Sequence, residues 1–190
     1  RDPLWSRGLG DVYKRQVQEH IIQRAQHPMF GYFDPRAEYF DRIIEWQSRR
    51  NGVEGLAPEH VGYENGVLGG VVSTLRAYAQ PGDAVLVHSP TYIGFTKSIE
   101  AAGYRIVHSP LKLDEQGVWR MDFEDMECKL AQNRIHAAVF CSPHNPCGRV
   151  WERDEIERAM GVYRQHDCVV ISDEICLLYT SPSPRDQRGS

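Results

Sequence analysis

Between Ala84 and Ile171 the chain alternates short apolar runs with longer segments of helical period, and this alternation narrows the folds open to it more than any other feature. The runs are Ala84-Val85-Leu86-Val87-His88, Tyr104 to Val107, Ala137-Ala138-Val139-Phe140 and Cys168 to Ile171. An apolar run without polar alternation belongs to a strand covered on both faces. Between the runs lie Thr91 to Ala102, closed by Gly103, then Asp122 to Gln132 with Phe123, Met126 and Leu130 at helical spacing, and Glu152 to His166. Strands separated by helices are βαβ units, so the fold class is α/β: a mostly parallel sheet with helices on both faces. Ligands of such sheets sit beyond the carboxyl ends of the strands.

Upstream, Val17 to Gln26 carries Val17, Ile21, Ile22 and Ala25 at helical spacing. His27 to Tyr32 is punctuated by Pro28 and Gly31 and reads as a loop. Asp34-Pro35 reads as an N-cap with proline at the first helical position, opening a helix that runs through Tyr39, Phe40, Ile43, Ile44 and Trp46 to Asn51-Gly52. A further helix, Val67 to Ala79, follows a glycine-rich start. The two ends differ from the rest. Arg1 to Gln16 shows no helical or strand period, and Cys176 to Ser190 is rich in Pro, Ser, Arg and Gly. Both resemble translated sequencing-adaptor sequence and are set aside as non-native-looking tails, 1–16 and 176–190. This leaves 17–175 as a partial domain.

At 190 residues, 41% hydrophobic and 25% charged, the chain has material for one packed core. A net charge of -4 argues against a nucleic-acid or membrane-surface partner, which shows a clustered basic face. No apolar run approaches the ~20 residues of a membrane helix, and no secretory signal opens the chain. The cysteines, Cys128, Cys141, Cys147, Cys168 and Cys176, are odd in number and irregularly spaced, which points to reduced thiols and a cytoplasmic location.

Three segments carry chemistry. Gly66-Val67-Leu68-Gly69-Gly70 opens a helix, where unpaired N–H groups and the helix dipole attract an anion, or it is a glycine-rich turn with nothing bound. Tyr92, in Pro90-Thr91-Tyr92, follows a strand and either stacks on an aromatic ligand or is an ordinary half-buried tyrosine. The third is Cys141-Ser142-Pro143-His144-Asn145-Pro146-Cys147-Gly148-Arg149-Val150-Trp151, followed by Val169-Val170-Ile171-Ser172-Asp173-Glu174. It sets an amide, Asn145, and a carboxylate, Asp173, at the ends of two successive strands. A carboxylate can hold a pyridine nitrogen protonated, and an amide can donate to a ring hydroxyl oxygen. Asp173 also fits a helix cap or a surface ion pair, while Glu174 is expected to meet backbone or solvent. Cys141, His144 and Cys147 have metal-ligating side chains, but structural zinc takes four ligands and no paired Cys-x-x-Cys accompanies them, so no metal is assigned.

Taken together, Phe30-Gly31-Tyr32, Asn65-Gly66-Val67-Leu68, Pro90-Thr91-Tyr92, Ser142 to Trp151 and Ser172-Asp173-Glu174-Ile175 resemble the large domain of fold-type I pyridoxal-5′-phosphate enzymes, the aminotransferase class I/II family. The form Pro-His-Asn-Pro-x-Gly-Arg-Val-Trp is most similar to its cystathionine β-lyase / cysteine-S-conjugate β-lyase branch. The resemblance implies the cofactor pyridoxal 5′-phosphate. Gly66, Val67 and Leu68 would face its phosphate, Tyr92 would cover its ring, Asn145 would meet the ring hydroxyl oxygen and Asp173 the ring nitrogen. Tyr32 resembles the tyrosine that reaches the phosphate of the neighbouring subunit, which implies a homodimer.

The implied activity is cleavage of cystathionine or other cysteine S-conjugates to thiol, pyruvate and ammonia. Class I/II aminotransfer is the alternative, and a non-catalytic regulatory or binding fragment is another. Cys147 stands where the family carries Thr, and Cys176 where the lyase branch carries His or Trp. The cofactor-bearing lysine of the family lies further downstream, and no lysine follows Lys129 here. The carboxylate-binding arginine of the small domain is also missing. The chain therefore reads as an N-terminal fragment, inactive by itself, with unpaired sheet edges and exposed apolar surface.

Overall fold

The computed structural model describes residues 9–27 and 36–175. The chain divides into two compact units, Arg1–Tyr63 and Glu64–Ser190.

In the first unit, helix α1 spans Leu9–Gln26 and helix α2 spans Ala37–Asn51. α1 starts well before the expected Val17. Leu9 to Gln16 contains no proline, and Leu9, Val12, Tyr13 and Val17 fall at helical spacing, a period that the reading of the tail overlooked. Asp34 and Pro35 lie outside the described residues. α2 has Arg36 at its N-cap, with no side-chain capping bond. The ring of Tyr39 meets Phe40 and Tyr63 edge-on, with centroids 5.5 and 6.1 Å away.

The second unit begins with helix α3, Val67–Tyr78, followed by strand β1, Ala84–Ser89, helix α4, Ile93–Ala101, and strand β2, Arg105–Pro110. A short hairpin follows, β3 (Lys112–Leu113) with β4 (Trp119–Arg120), then α5 (Phe123–Asn133), β5 (Ala137–Cys141), α6 (Arg153–Gln165) and β6 (Val169–Asp173). The main sheet has the order β2-β1-β5-β6, and every pairing in it is parallel.

Alternation along the strands divides the core into two layers. Val85, Val87, Ala137, Val139 and Cys141 pack with Val71 and Leu75 of α3 and Phe95 and Ile99 of α4. Ala84, Leu86, Ala138 and Phe140 pack on the other face with Met126 and Leu130 of α5 and Ala159, Val162 and Tyr163 of α6. Each fully buried Leu, Ile or Phe contributes about 1.5–3 kcal/mol of transfer free energy. The expected α/β class, with helices on both faces, is what the chain adopts.

In the second unit, the end of β2 and a short hairpin depart from the sequence reading by more than two residues, each for a physical reason. β2 runs on through His108, Ser109 and Pro110, because these residues stay in register with Val87, His88 and Ser89 of β1. The hairpin was not predicted, since its strands have only two residues each. It is held by Asp114, which accepts from the N–H groups of Gln116 and Val118 and from Arg120.

Candidate functional site

All four strands of the main sheet run the same way, so their carboxyl ends share one edge. β1 is followed there by Tyr92, β5 by Asn145, and β6 ends on Asp173. α3 finishes five residues before β1 begins, at the opposite edge. A helix of its length spans about 18 Å, close to the span of a strand, which brings its start at Gly66 back to the carboxyl edge. The four expected site segments in the described residues therefore converge on one side of the sheet. Tyr32, with Phe30 and Gly31, lies outside the described residues.

Gly66 occupies the N-cap of α3 with φ 113° and ψ 157°, a backbone conformation that favours glycine strongly. The first helical bond of α3 is donated by Gly70 to the Gly66 carbonyl, at 3.2 Å. The N–H groups of Val67, Leu68 and Gly69 are thus left at the helix start, where the dipole is positive. Glu64 flanks this turn: a Cβ placed on Gly69 would sit 3.3 Å from its Oε2. Sequence reasoning passed over Glu64.

Tyr92 is the N-cap residue of α4 and its side chain is 41% exposed. Its ring stands edge-on to Phe95, with centroids 5.6 Å apart, and lies across Gly94. A Cβ on Gly94 would fall 2.3 Å from Tyr92 Cε1, so the ring takes this position only over a glycine.

Asn145 is exposed in a tight turn closed by two backbone bonds, His144 N–H to the Arg149 carbonyl at 2.6 Å and Gly148 N–H to the His144 carbonyl at 2.7 Å. Gly148 sits at φ 68°, again suited to glycine. The amide of Asn145 has no hydrogen-bond partner among the described residues. His144, by contrast, is 3% exposed, and its Nε2 lies 2.8 Å from the Pro90 carbonyl. Burial holds its imidazole below the ordinary histidine range. Trp151 packs beside it, with centroids 5.5 Å apart, and donates Nε1–H to the Cys141 carbonyl at 2.9 Å.

Arg149 braces the same turn. Its Nε donates to the Trp119 carbonyl at 3.0 Å, and its guanidinium pairs with Glu155 and lies 5.2 Å from the Trp151 ring centroid. Glu155 also binds Arg120 at 3.2 Å and accepts from the Glu152 N–H at 2.9 Å. Glu155 was not identified from sequence. The cue was its place three residues after Glu152, at the start of α6, where an acidic side chain can bond back to the N-cap.

Asp173 is 5% exposed. Its Oδ1 accepts from the Ile175 N–H at 3.0 Å, and its Oδ2 faces the Cys141 thiol at 3.9 Å. No ion pair to it exists among the described residues, and no described helix follows it, so neither a salt bridge nor a helix cap accounts for it. A buried carboxylate needs a compensating donor, and a protonated ring nitrogen is of the right type. Glu174 is exposed to solvent, as expected, and also accepts from the Ser172 hydroxyl at 2.9 Å.

Cys141 donates to the Pro143 carbonyl at 3.2 Å, and Cys147 is half-buried, with its thiol pushed up by desolvation. Among the described residues, no three His, Cys, Asp or Glu side chains converge as metal ligands, and no helix is long and apolar enough to cross a membrane.

The described residues thus form a two-sided parallel α/β sheet with a bare helix start, an exposed tyrosine, a turn-borne amide and a buried carboxylate. The chain belongs to the aminotransferase class I and II family, whose profile matches residues 8–177. It is 32% identical over 173 residues to cystathionine beta-lyase PatB of Bacillus subtilis (strain 168), covering 91% of this chain and 44% of that protein. Protein MalY of Escherichia coli (strain K12) is 33% identical over 161 residues, covering 84% of this chain and 40% of MalY. Among solved structures, the PLP-bound C-S lyase from Staphylococcus hominis superposes with a TM-score of 0.73 at 28% identity, covering 84% of this chain and 41% of that one. The chain thus spans less than half the length of these relatives.

Proposed function

We propose that this chain carries the ring-holding part of the pyridoxal 5′-phosphate site of a carbon–sulfur β-lyase. The complete enzyme cleaves cystathionine or another cysteine S-conjugate to thiol, pyruvate and ammonia. One observation carries the reading: Asp173, a buried carboxylate at the end of β6, has no cationic partner among the described residues. Its similarity to PatB and to the PLP-bound lyase of S. hominis supports the choice of ligand and of reaction.

When bound, pyridoxal phosphate supplies the electron sink for charge developing on the substrate carbon. The residues of this chain hold and orient it. Asp173 would hold the proton on the ring nitrogen through the fixed charge of its buried carboxylate. Asn145 donates its amide to the ring hydroxyl oxygen, and Tyr92 covers one ring face. The N–H groups of Val67 and Leu68, freed by the turn at Gly66, take the phosphate. Tyr32 serves the phosphate of a second copy in a homodimer, and the whole acts in the cytoplasm on a small amino-acid substrate.

The chain holds no lysine beyond Lys129 to bind the cofactor covalently or to take the substrate proton. On this reading these 190 residues take up pyridoxal phosphate reversibly. Borohydride treatment of the loaded chain tests this: reversible uptake without covalent label is expected, and stoichiometric labelling contradicts it. Assay of the uninterrupted gene product tests the reaction. Pyruvate release from cystathionine is expected, while amino-group transfer to a keto acid without pyruvate release would make it an aminotransferase.

A further inference from the structure

The described structure contains one direct link between the turn after β1 and the turn after β5. His144, next to Asn145, reaches across 54 residues of sequence to the Pro90 carbonyl, two residues before Tyr92, at 2.8 Å. A carbonyl only accepts, so Nε2 must carry the proton and donate it. Nδ1 is buried with no hydrogen-bond partner, which is compatible with the neutral Nε2–H tautomer, whose Nδ1 carries no proton to place. Burial favours that neutral form. The imidazole is fixed on its other side by Trp151, itself anchored on the last carbonyl of β5. The backbone of His144 closes the Asn145 turn in both directions, accepting from Gly148 and donating to Arg149. One residue thus holds both the turn that presents the amide and its distance from the turn that presents the tyrosine ring.

We infer that His144 is a positioning residue that sets the spacing between Tyr92 and Asn145, and thereby the grip of the site on a pyridine ring. The inference rests on the pyridoxal phosphate reading above. It adds a role for a side chain that touches neither ring nor phosphate in that reading. Without the clamp, no described hydrogen bond ties the two turns to each other, and the cost of fixing their spacing falls on the ligand.

The test compares the 190-residue chain with two variants. His144→Gln places an amide donor near the Nε2 position, while His144→Leu keeps bulk and loses the donor. Affinity for pyridoxal phosphate is followed by quenching of tryptophan fluorescence, and ring orientation by the circular dichroism of the bound chromophore. His144→Leu should weaken binding about tenfold and lose most of the induced signal, and His144→Gln should recover both to within about threefold.

Nitrogen-15 correlation spectra of the wild-type imidazole should show an Nε2–H, Nδ1-bare ring near neutral pH. A His144→Leu chain that binds with wild-type affinity and signal overturns the clamp, as does a His144→Gln chain no better than His144→Leu, or an Nδ1–H tautomer. Failure of the wild-type chain to take up pyridoxal phosphate overturns the cofactor reading and the positioning role with it. It is distinguished from the other results because the wild type itself fails.

Discussion

Cys141 and Asp173 are register partners at the ends of β5 and β6, with the Cys141 thiol 3.9 Å from Asp173 Oδ2. The pairing leaves the Asp173 carboxylate with one backbone donor, from Ile175, and a weak thiol contact beneath it. Such a carboxylate is under-satisfied for its burial, and an incoming N–H would relieve it. Asp173→Asn keeps an oxygen for the Ile175 bond but loses the charge. It should weaken pyridoxal phosphate binding to this chain by about tenfold or more, with an unchanged far-ultraviolet spectrum. Equal affinity of the two chains would remove Asp173 from the ring site.

Glu64 sets a like charge beside the helix start offered to the phosphate. Glu64→Gln removes that charge and keeps the shape of the side chain. The affinity for pyridoxal phosphate should rise about threefold at low ionic strength, and the gain should shrink with added salt. Isothermal titration at two salt concentrations decides it, and an unchanged or lower affinity at low salt speaks against a phosphate at Gly66 to Leu68.

Two buried histidines make stability depend on pH. Burial, with a smaller push from His144, lowers the His88 imidazole to about 4, and His144 is lowered by burial as well. Between the ordinary value of 6.5 and about 4 the unfolded chain binds protons that the folded chain refuses. Stability contributed by these neutral rings is complete above that window and is lost as pH falls through it. Urea unfolding at about pH 7.5 and about pH 5 should show a loss of about 2 kcal/mol from His88 alone. Equal stabilities at the two pH values would contradict the burial of a neutral His88 against Tyr163, which it meets at 3.0 Å.

Glu155 is the hub that ties the Asn145 turn to α6 and to the hairpin. Its loss by Glu155→Ala leaves the nearly buried Arg149 with only the exposed Glu152 carboxylate at 3.7 Å and should cost about 3 kcal/mol in urea unfolding. Glu155→Gln, which keeps an acceptor, should cost less. A loss of under about 0.5 kcal/mol for the alanine variant would place the pair among inert surface contacts.

The central strands were legible because their apolar runs lack polar alternation, and Leu86, Val139 and their neighbours are buried on both faces as that pattern demands, whereas the edge strands β2 and β6 are partly exposed. The places of Tyr92, Asn145 and Asp173 after strands, and of Gly66 before a helix, were legible because the apolar runs locate the element ends; their roles toward a ligand are the proposal made above. The His144 clamp was not. It joins residues 54 apart, and a histidine preceding Asn145 shows nothing of its partner until β1 and β5 are placed side by side. Glu64 and Glu155 escaped for a similar reason, since their roles arise from where a helix start happens to point. The β3–β4 hairpin escaped because its strands are too short for a period, although Asp114 and Gly117 are turn residues.

The central claim is that Asp173 holds a proton on the ring nitrogen of pyridoxal phosphate. It is tested most directly by the nitrogen-15 chemical shift of ring-labelled pyridoxal phosphate bound to this chain near neutral pH. A protonated ring nitrogen in the wild type that becomes unprotonated in Asp173→Asn is the predicted result. An unprotonated nitrogen in the wild type, or the same shift in both chains, would contradict it.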